Sequence, residues 1–176
     1  MNEVRDNPVE VITTLDRELD HEVSLVVFGR GALRLGFERP LAIHQTTEDV
    51  DGIIRLNQLE SLVDDESFWD AVDRTNKALE PKGLYITHLF HEDQVFLRPD
   101  WELFIVPVLR PPTRWLKLYR PHSIDLILTK MMRGDDAQDM GRPGTPRRVS
   151  ARTTSGEGDF AGKLCLTRPA AVHASL

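Results

Sequence analysis

The residues in this chain with the plainest chemical use are two aspartates, Asp49 and Asp51, separated by Val50. In a strand, alternate side chains share a face. The two carboxylates therefore point the same way, with Val50 turned into the core. Like charges held that close repel unless a cation sits between them. Hard, oxygen-loving Mg²⁺ is the usual cation for such a pair, and it brings substrate phosphates with it. The plain alternative is two solvated acids on a strand edge. Aspartate is depleted in strands, so two on one face need a reason.

A glycine turn lies upstream. The apolar run Ser24–Phe28 breaks at Gly29-Arg30-Gly31 and resumes as Ala32-Leu33-Arg34-Leu35. Such a turn lets backbone N–H groups approach a phosphate, and the helix start that follows adds a favourable dipole. By itself it is equally a plain strand-to-helix connection. Arg30, inside the turn, is placed to supplement a phosphate cradle as a charged fork.

The ordered set of a glycine turn, Thr47-Glu48-Asp49-Val50-Asp51 and the helix Leu128-Thr129-Lys130 resembles the minimal nucleotidyltransferases of the polymerase-β superfamily. The nearest likeness is to the bacterial group that includes the AbiEii-type toxins. It covers residues 20–140, including an Arg133…Asp139 segment that resembles the opening of the family's next helix. The family turn is Gly-Gly or Gly-Ser; here Arg30 interrupts the glycine pair. The resemblance implies an α/β (α+β) fold with a mixed sheet flanked by helices. It also implies Mg²⁺-dependent transfer of a nucleoside monophosphate to an RNA or protein acceptor, and an antitoxin as partner.

Such transfer is an in-line attack on the α-phosphorus of a nucleoside triphosphate. Two metal ions, roughly 3.5–4 Å apart, stabilise the attacking and leaving oxygens. Asp49 and Asp51 would hold metal, and Gly29 and Gly31 would cradle the leaving phosphates. The family places a third carboxylate on a neighbouring strand. Glu102, set between Trp101 and Leu103-Phe104, fits that pattern, and Asp93 competes with it. Lys130 would reach the triphosphate as a point charge, or else is a lysine snorkelling from an apolar helix. His88 and His91 read as ordinary surface histidines. A non-catalytic nucleotide- or partner-binding module on the same fold remains the alternative, as does a damaged copy without activity.

The elements that must position these residues follow from periodicity. Asn7-Pro8 opens a helix carrying Val9, Val11, Ile12 and Leu15. Leu25–Phe28 is a strand, Ala32–Phe37 a short helix, and a second strand lies within Thr46–Leu56. Leu59–Leu79 is helical with a break at Asp64-Asp65-Glu66, and Lys82-Gly83 ends it. Leu84–Phe90, Gln94–Leu97 and Glu102–Leu109 read as an antiparallel meander. Leu116–Tyr119 is a short strand. Ser123 opens a helix with Ile124, Leu126, Ile127, Leu128 and Met131 on its buried face.

At 176 residues the chain is long enough for one domain with a substantial core. Its net charge of −6 argues against a generic nucleic-acid binder, whose mark is a basic patch. A single cysteine, Cys165, forbids an internal disulfide and fits a reducing cytoplasm. No membrane partner is expected, since no run approaches the length of a spanning helix.

From Gly141 the helical pattern stops. Residues 141–176 are rich in Gly, Pro, Arg and Ser and carry a balance of +4 against −10 in residues 1–140. Such a segment cannot bury a core and is expected to be disordered. It is either a natural basic tail that touches nucleic acid or the acidic body, or the product of a reading-frame shift just after Met140. Gly141-Arg142-Pro143-Gly144, read one nucleotide later, permits Asp-Asp-Leu-Glu, which would continue an acidic helix. The frameshift reading implies an exposed apolar face on Ile124–Met131.

Overall fold

The computed structural model describes residues 5–132. The tail, the frame-shift reading of it and the Arg133…Asp139 segment lie outside these residues. Within them the chain is a mixed α/β fold of five helices and a five-stranded sheet.

Helix α1 (Asn7–Glu18) places Val11, Ile12 and Leu15 at helical spacing, and all three are fully buried. Its cap is Asp6 and not Asn7. The Asp6 carboxylate does not bond the helix end; its Oδ2 accepts from Arg34 Nε and Nη2. Strand β1 (Val23–Phe28) is buried at five of six positions, as a central strand covered on both faces should be. Helix α2 (Gly29–Leu35) begins at the first glycine, about one turn before the expected start at Ala32, and ends at its cap Gly36. The glycine turn is thus the first turn of the helix itself.

Strand β2 (Asp49–Ile54) runs antiparallel to β1 with Phe28 opposite Asp51, so Asp51-Gly52 is strand and not hairpin. Helices α3 (Leu56–Val63) and α4 (Glu66–Leu79) flank the expected break. Asp65 caps α4 by accepting from the Phe68 N–H at 3.0 Å. Gly83, at φ +67°, makes the left-handed exit. Strand β3 (Tyr85–His91) then pairs parallel to β2 as an edge strand. On its outer side the Asn76 amide donates to the Ile86 carbonyl at 3.1 Å and accepts from the Ile86 N–H at 2.8 Å.

The meander is not formed. Glu92–Gln94 and Trp101–Phe104 are 3-10 turns, and Gln94–Leu97 makes no strand. Only β4 (Val106–Pro107) pairs, antiparallel to β5 (Leu116–Arg120), which lies parallel to β1. The order is β3-β2-β1-β5-β4. Asp100, in the turn between the two expected strands, takes a left-handed φ of 58°. Arg98 is drawn sideways by Asp125: its backbone N–H, Nε and Nη2 all donate to that carboxylate at 2.9–3.1 Å.

Asp125 also changes helix α5 (Ser123–Met132). The buried positions are Asp125, Leu126 and Thr129, while Ile124, Ile127 and Met131 are exposed. The apolar face expected to be buried is therefore turned largely outward. Burial alone would push the Asp125 carboxyl up, but the Arg98 hydrogen bonds and charge outweigh it and hold the group below its ordinary value.

A second polar junction joins α4 to the loop before β1. His21 reaches Asp20 through Nδ1 and Asp65 through Nε2, both at 2.7 Å. The Asp20 bond, then Asp65, raises the His21 pKa against a smaller opposing effect of burial. A raised folded-state pKa gives stability that is complete below the unfolded value of 6.5 and lost as pH rises through the folded value. Wild type should therefore lose denaturant resistance on going upward from pH 6.5, and His21→Gln should flatten that slope. Asp65→Ala, which also removes the α4 cap, should cost about 1 kcal/mol in the same urea titrations.

Candidate functional site

A cleft of about 450 Å³ opens where β1 passes into α2, and Asp49, Asp51 and α5 also border it. Gly29, Arg30, Gly31, Asp49, Asp51 and Lys130 all line it. The sequence-derived residues converge here because β2 lies beside β1 with Asp51 opposite Phe28, the residue before the turn. Val50 is buried between two half-buried aspartates, so the alternation across β2 holds.

The two carboxylates are oriented by neighbours. Thr47 donates its hydroxyl to Asp49 Oδ1 at 3.1 Å. Thr87 donates to Asp51 Oδ1 at 3.0 Å, and His88 Nδ1 lies 3.3 Å from the same oxygen. Arg30 Nη2 stands 3.9 Å from Asp49 Oδ1, so the cation inside the turn leans on the aspartate pair.

His88, read from the sequence as an ordinary surface histidine, instead stands against one of the two aspartates. Val50 pairs with Ile86 and Gly52 with Leu89, so Thr87 and His88 together oppose Asp51. This β-bulge brings both side chains to one carboxylate. No residue pattern announces it; the signal would have been two polar residues beside a strand acid, visible only once the pairing register is known. The His88 ring also stacks on Phe90 at a centroid distance of 5.3 Å. His91 lies apart, with Nδ1 3.9 Å from Asp93.

The third carboxylate is not brought to the cleft. Glu102 sits in a 3-10 turn and accepts from Asn57 Nδ2 at 3.2 Å, near the start of α3. Burial, then the neighbouring Glu92 charge, raises its pKa against the pull of Arg55. Asp93 is largely exposed in the turn after β3. Neither lines the cleft. Among the described residues, no group of three or more His, Cys, Asp or Glu is placed to hold one ion. The metal-binding material is the Asp49/Asp51 pair. That donor set fits Mg²⁺, which is commonly held by one or two carboxylates with water and substrate phosphates completing its shell.

The cleft also has an apolar part, formed by Leu33, Phe37, Leu126 and Ile127. The Arg120 guanidinium lies over the Phe37 ring, 4.1 Å from its centroid. Arg120 is 9% exposed, and burial pulls its pKa below the ordinary value. Its Nε donates to the Gly36 carbonyl at 2.8 Å and its Nη1 to the Pro121 carbonyl at 3.0 Å.

Comparison of the chain with protein-family models, with curated protein sequences and with solved structures finds no match in any of the three. Among the described residues, no helix is long and apolar enough to cross a membrane.

The two glycines of the turn differ in what they permit. Gly29 adopts φ +64°, which an L-residue enters at a cost of about 1–2 kcal/mol. A Cβ there would lie 3.6 Å from Asp51 Oδ2, an ordinary contact, so the cost is conformational. A Cβ on Gly31 would lie 3.5 Å from a Val50 methyl carbon, in an unstrained helical backbone. Gly29→Ala should therefore destabilise by about 1–2 kcal/mol, whereas Gly31→Ala should be neutral or stabilising by up to about 1 kcal/mol. Parallel denaturant titrations of the two variants check the contrast.

Proposed function

We propose that the protein is a Mg²⁺-dependent nucleotidyltransferase that moves a nucleoside monophosphate from a nucleoside triphosphate to a hydroxyl of an RNA or protein acceptor. The observation that carries this reading is the convergence of Asp49, Asp51, the Gly29–Gly31 turn and Lys130 on one cleft. The acceptor hydroxyl oxygen forms a bond to the α-phosphorus as its proton passes to water, the bond from that phosphorus to the bridging oxygen breaks, and pyrophosphate leaves. Bound Mg²⁺ supplies neutralisation of charge on the attacking and leaving oxygens.

The chain's own residues do the remaining work. Asp49 and Asp51 would hold the ion, kept in orientation by Thr47 and by Thr87 with His88. Arg30 exchanges its lean on Asp49 for the phosphates, where its planar fork binds more strongly. Lys130 faces the same space and adds a point charge. The toxin role and an antitoxin partner extend the same family likeness. A reducing cytoplasm is the compartment that best suits the single Cys165.

One observation favours a second reading. Among the described residues, no third acid lines the cleft, since Glu102 and Asp93 both lie elsewhere. A nucleotide-binding module without transfer would need only the pair, the turn and the lysine. Both readings expect Mg²⁺-dependent nucleotide binding. Only the first expects release of pyrophosphate on incubation with nucleoside triphosphates and a cellular RNA and protein fraction, and its absence there assigns the site to binding alone.

Asp49→Asn and Asp51→Asn should each lower Mg²⁺-dependent turnover by at least about a hundredfold, consistent with the loss of several kcal/mol of electrostatic stabilisation. Removing one of two like charges relieves repulsion, so neither should lower the thermal midpoint. Wild-type activity in both variants would overturn the assignment. Lys130→Ala should weaken nucleoside triphosphate binding about tenfold while leaving Mg²⁺ affinity unchanged, a loss of the size expected for one charged contact. Calorimetric titrations with Mg²⁺ alone and then with nucleotide separate the two effects.

A further inference from the structure

We infer that Phe37, backed by the buried Arg120, is the stacking platform for the base of a purine nucleoside triphosphate. The inference rests on the nucleotide-binding reading and names the substrate class within it.

Arg120 is the unusual group. It is buried, and among the described residues no carboxylate forms an ion pair with it. Burying a charge without an opposite charge is costly. Its partners are the carbonyls of Gly36 and Pro121 and the face of Phe37. Gly36 is shaped to admit it: a Cβ there would lie 2.1 Å from Arg120 Cδ and 2.7 Å from Nε. The guanidinium also caps the carbonyl at the end of α2, where a cation is favoured. Capping explains the bond to Gly36 but not the ring above it.

Phe37 lines the cleft and Arg120 does not, so the guanidinium covers the ring from behind and leaves the other side to the cleft. A cation on one face holds the ring in place and draws electron density from the opposite face. That face suits a planar, electron-rich partner. Leu33, Leu126 and Ile127 surround the position with hydrocarbon. Such walls reward flat apolar area, which favours the two-ring purines over pyrimidines. Ser123 and Thr129, on the same helix as Leu126 and Ile127, also line the cleft.

The test is competition against a fluorescent ATP analogue in the presence of Mg²⁺, using ATP, GTP, UTP and inorganic tripolyphosphate on the full chain. ATP and GTP should each bind about tenfold more tightly than tripolyphosphate, the factor expected for one stacked base. UTP should fall between. Phe37→Leu keeps an apolar wall without a ring face, and should lower ATP to the tripolyphosphate level while leaving tripolyphosphate itself unchanged. Phe37→Trp should restore the difference. Gly36→Ala, which displaces Arg120, should weaken ATP relative to tripolyphosphate without abolishing either.

Nucleotides that bind no better than tripolyphosphate overturn the stacking platform and leave the phosphate site standing. So does an unchanged ATP-to-tripolyphosphate ratio in Phe37→Leu. Failure of all four compounds to compete, with no binding of the fluorescent analogue, overturns the nucleotide reading as well.

Discussion

One buried carboxylate governs how the last third of the described chain is arranged. Asp125 is fully buried in α5, and an acid can lie there only if its charge is met. Arg98 meets it three times over. Thr129, one turn along, donates its hydroxyl to the Asp125 carbonyl at 2.7 Å and also lies 3.1 Å from the Phe96 carbonyl, so the same helix face is stitched to the same segment. Satisfying that acid takes the stretch after β3 out of the sheet and turns α5 on its axis. Leu126 goes inward and Lys130 toward the cleft. A hydrophobic stripe alone would have rotated the helix the other way.

The aspartate pair depends on a different constraint, the pairing of β2 on both sides. On one side β1 sets Asp51 across from Phe28, the residue that leads into the turn. On the other, the bulge in β3 offers two side chains to one carboxylate. The acids are thus fixed by a strand register, while the cation nearest them, Arg30, belongs to an exposed and longer side chain. Rigid acids with a movable cation suit a site that must exchange a side-chain partner for a phosphate. The apolar part of the cleft is built on a third principle, a ring held against a buried guanidinium.

Periodicity made much of this readable. The strands through Phe28, Asp49–Ile54 and Tyr85–His91 and the helices around them follow from local pattern, since each buries the residues its period marks. That Asp49, Asp51, the glycine turn and Lys130 belong together was an expectation from the family resemblance and not from periodicity, and the four line one cleft. The segment from Gln94 to Leu109 was not readable, because Val95, Leu97, Trp101, Ile105 and Val108 pack on the core without joining a ladder. Apolar content there signals burial, and burial is not pairing. His88 and Arg120 escaped for a related reason. What each does is decided by a partner far along the chain: Asp51 for His88, Gly36 and Phe37 for Arg120.

The Asn76 amide has a meaning beyond its two hydrogen bonds. In a parallel pair, a residue's N–H and C=O face the same neighbour, so the groups of Ile86 that Asn76 occupies are those pointing away from β2. They are the groups an approaching strand would seek. A primary amide presents one donor and one acceptor in the spacing of a peptide unit, and here it stands in for the strand that would otherwise extend the sheet. The far edge is guarded differently, by a two-residue strand that contains Pro107. At Ile86 the outward backbone groups are already taken, and at Pro107 there is no N–H to give, so an added strand finds no ladder at either point.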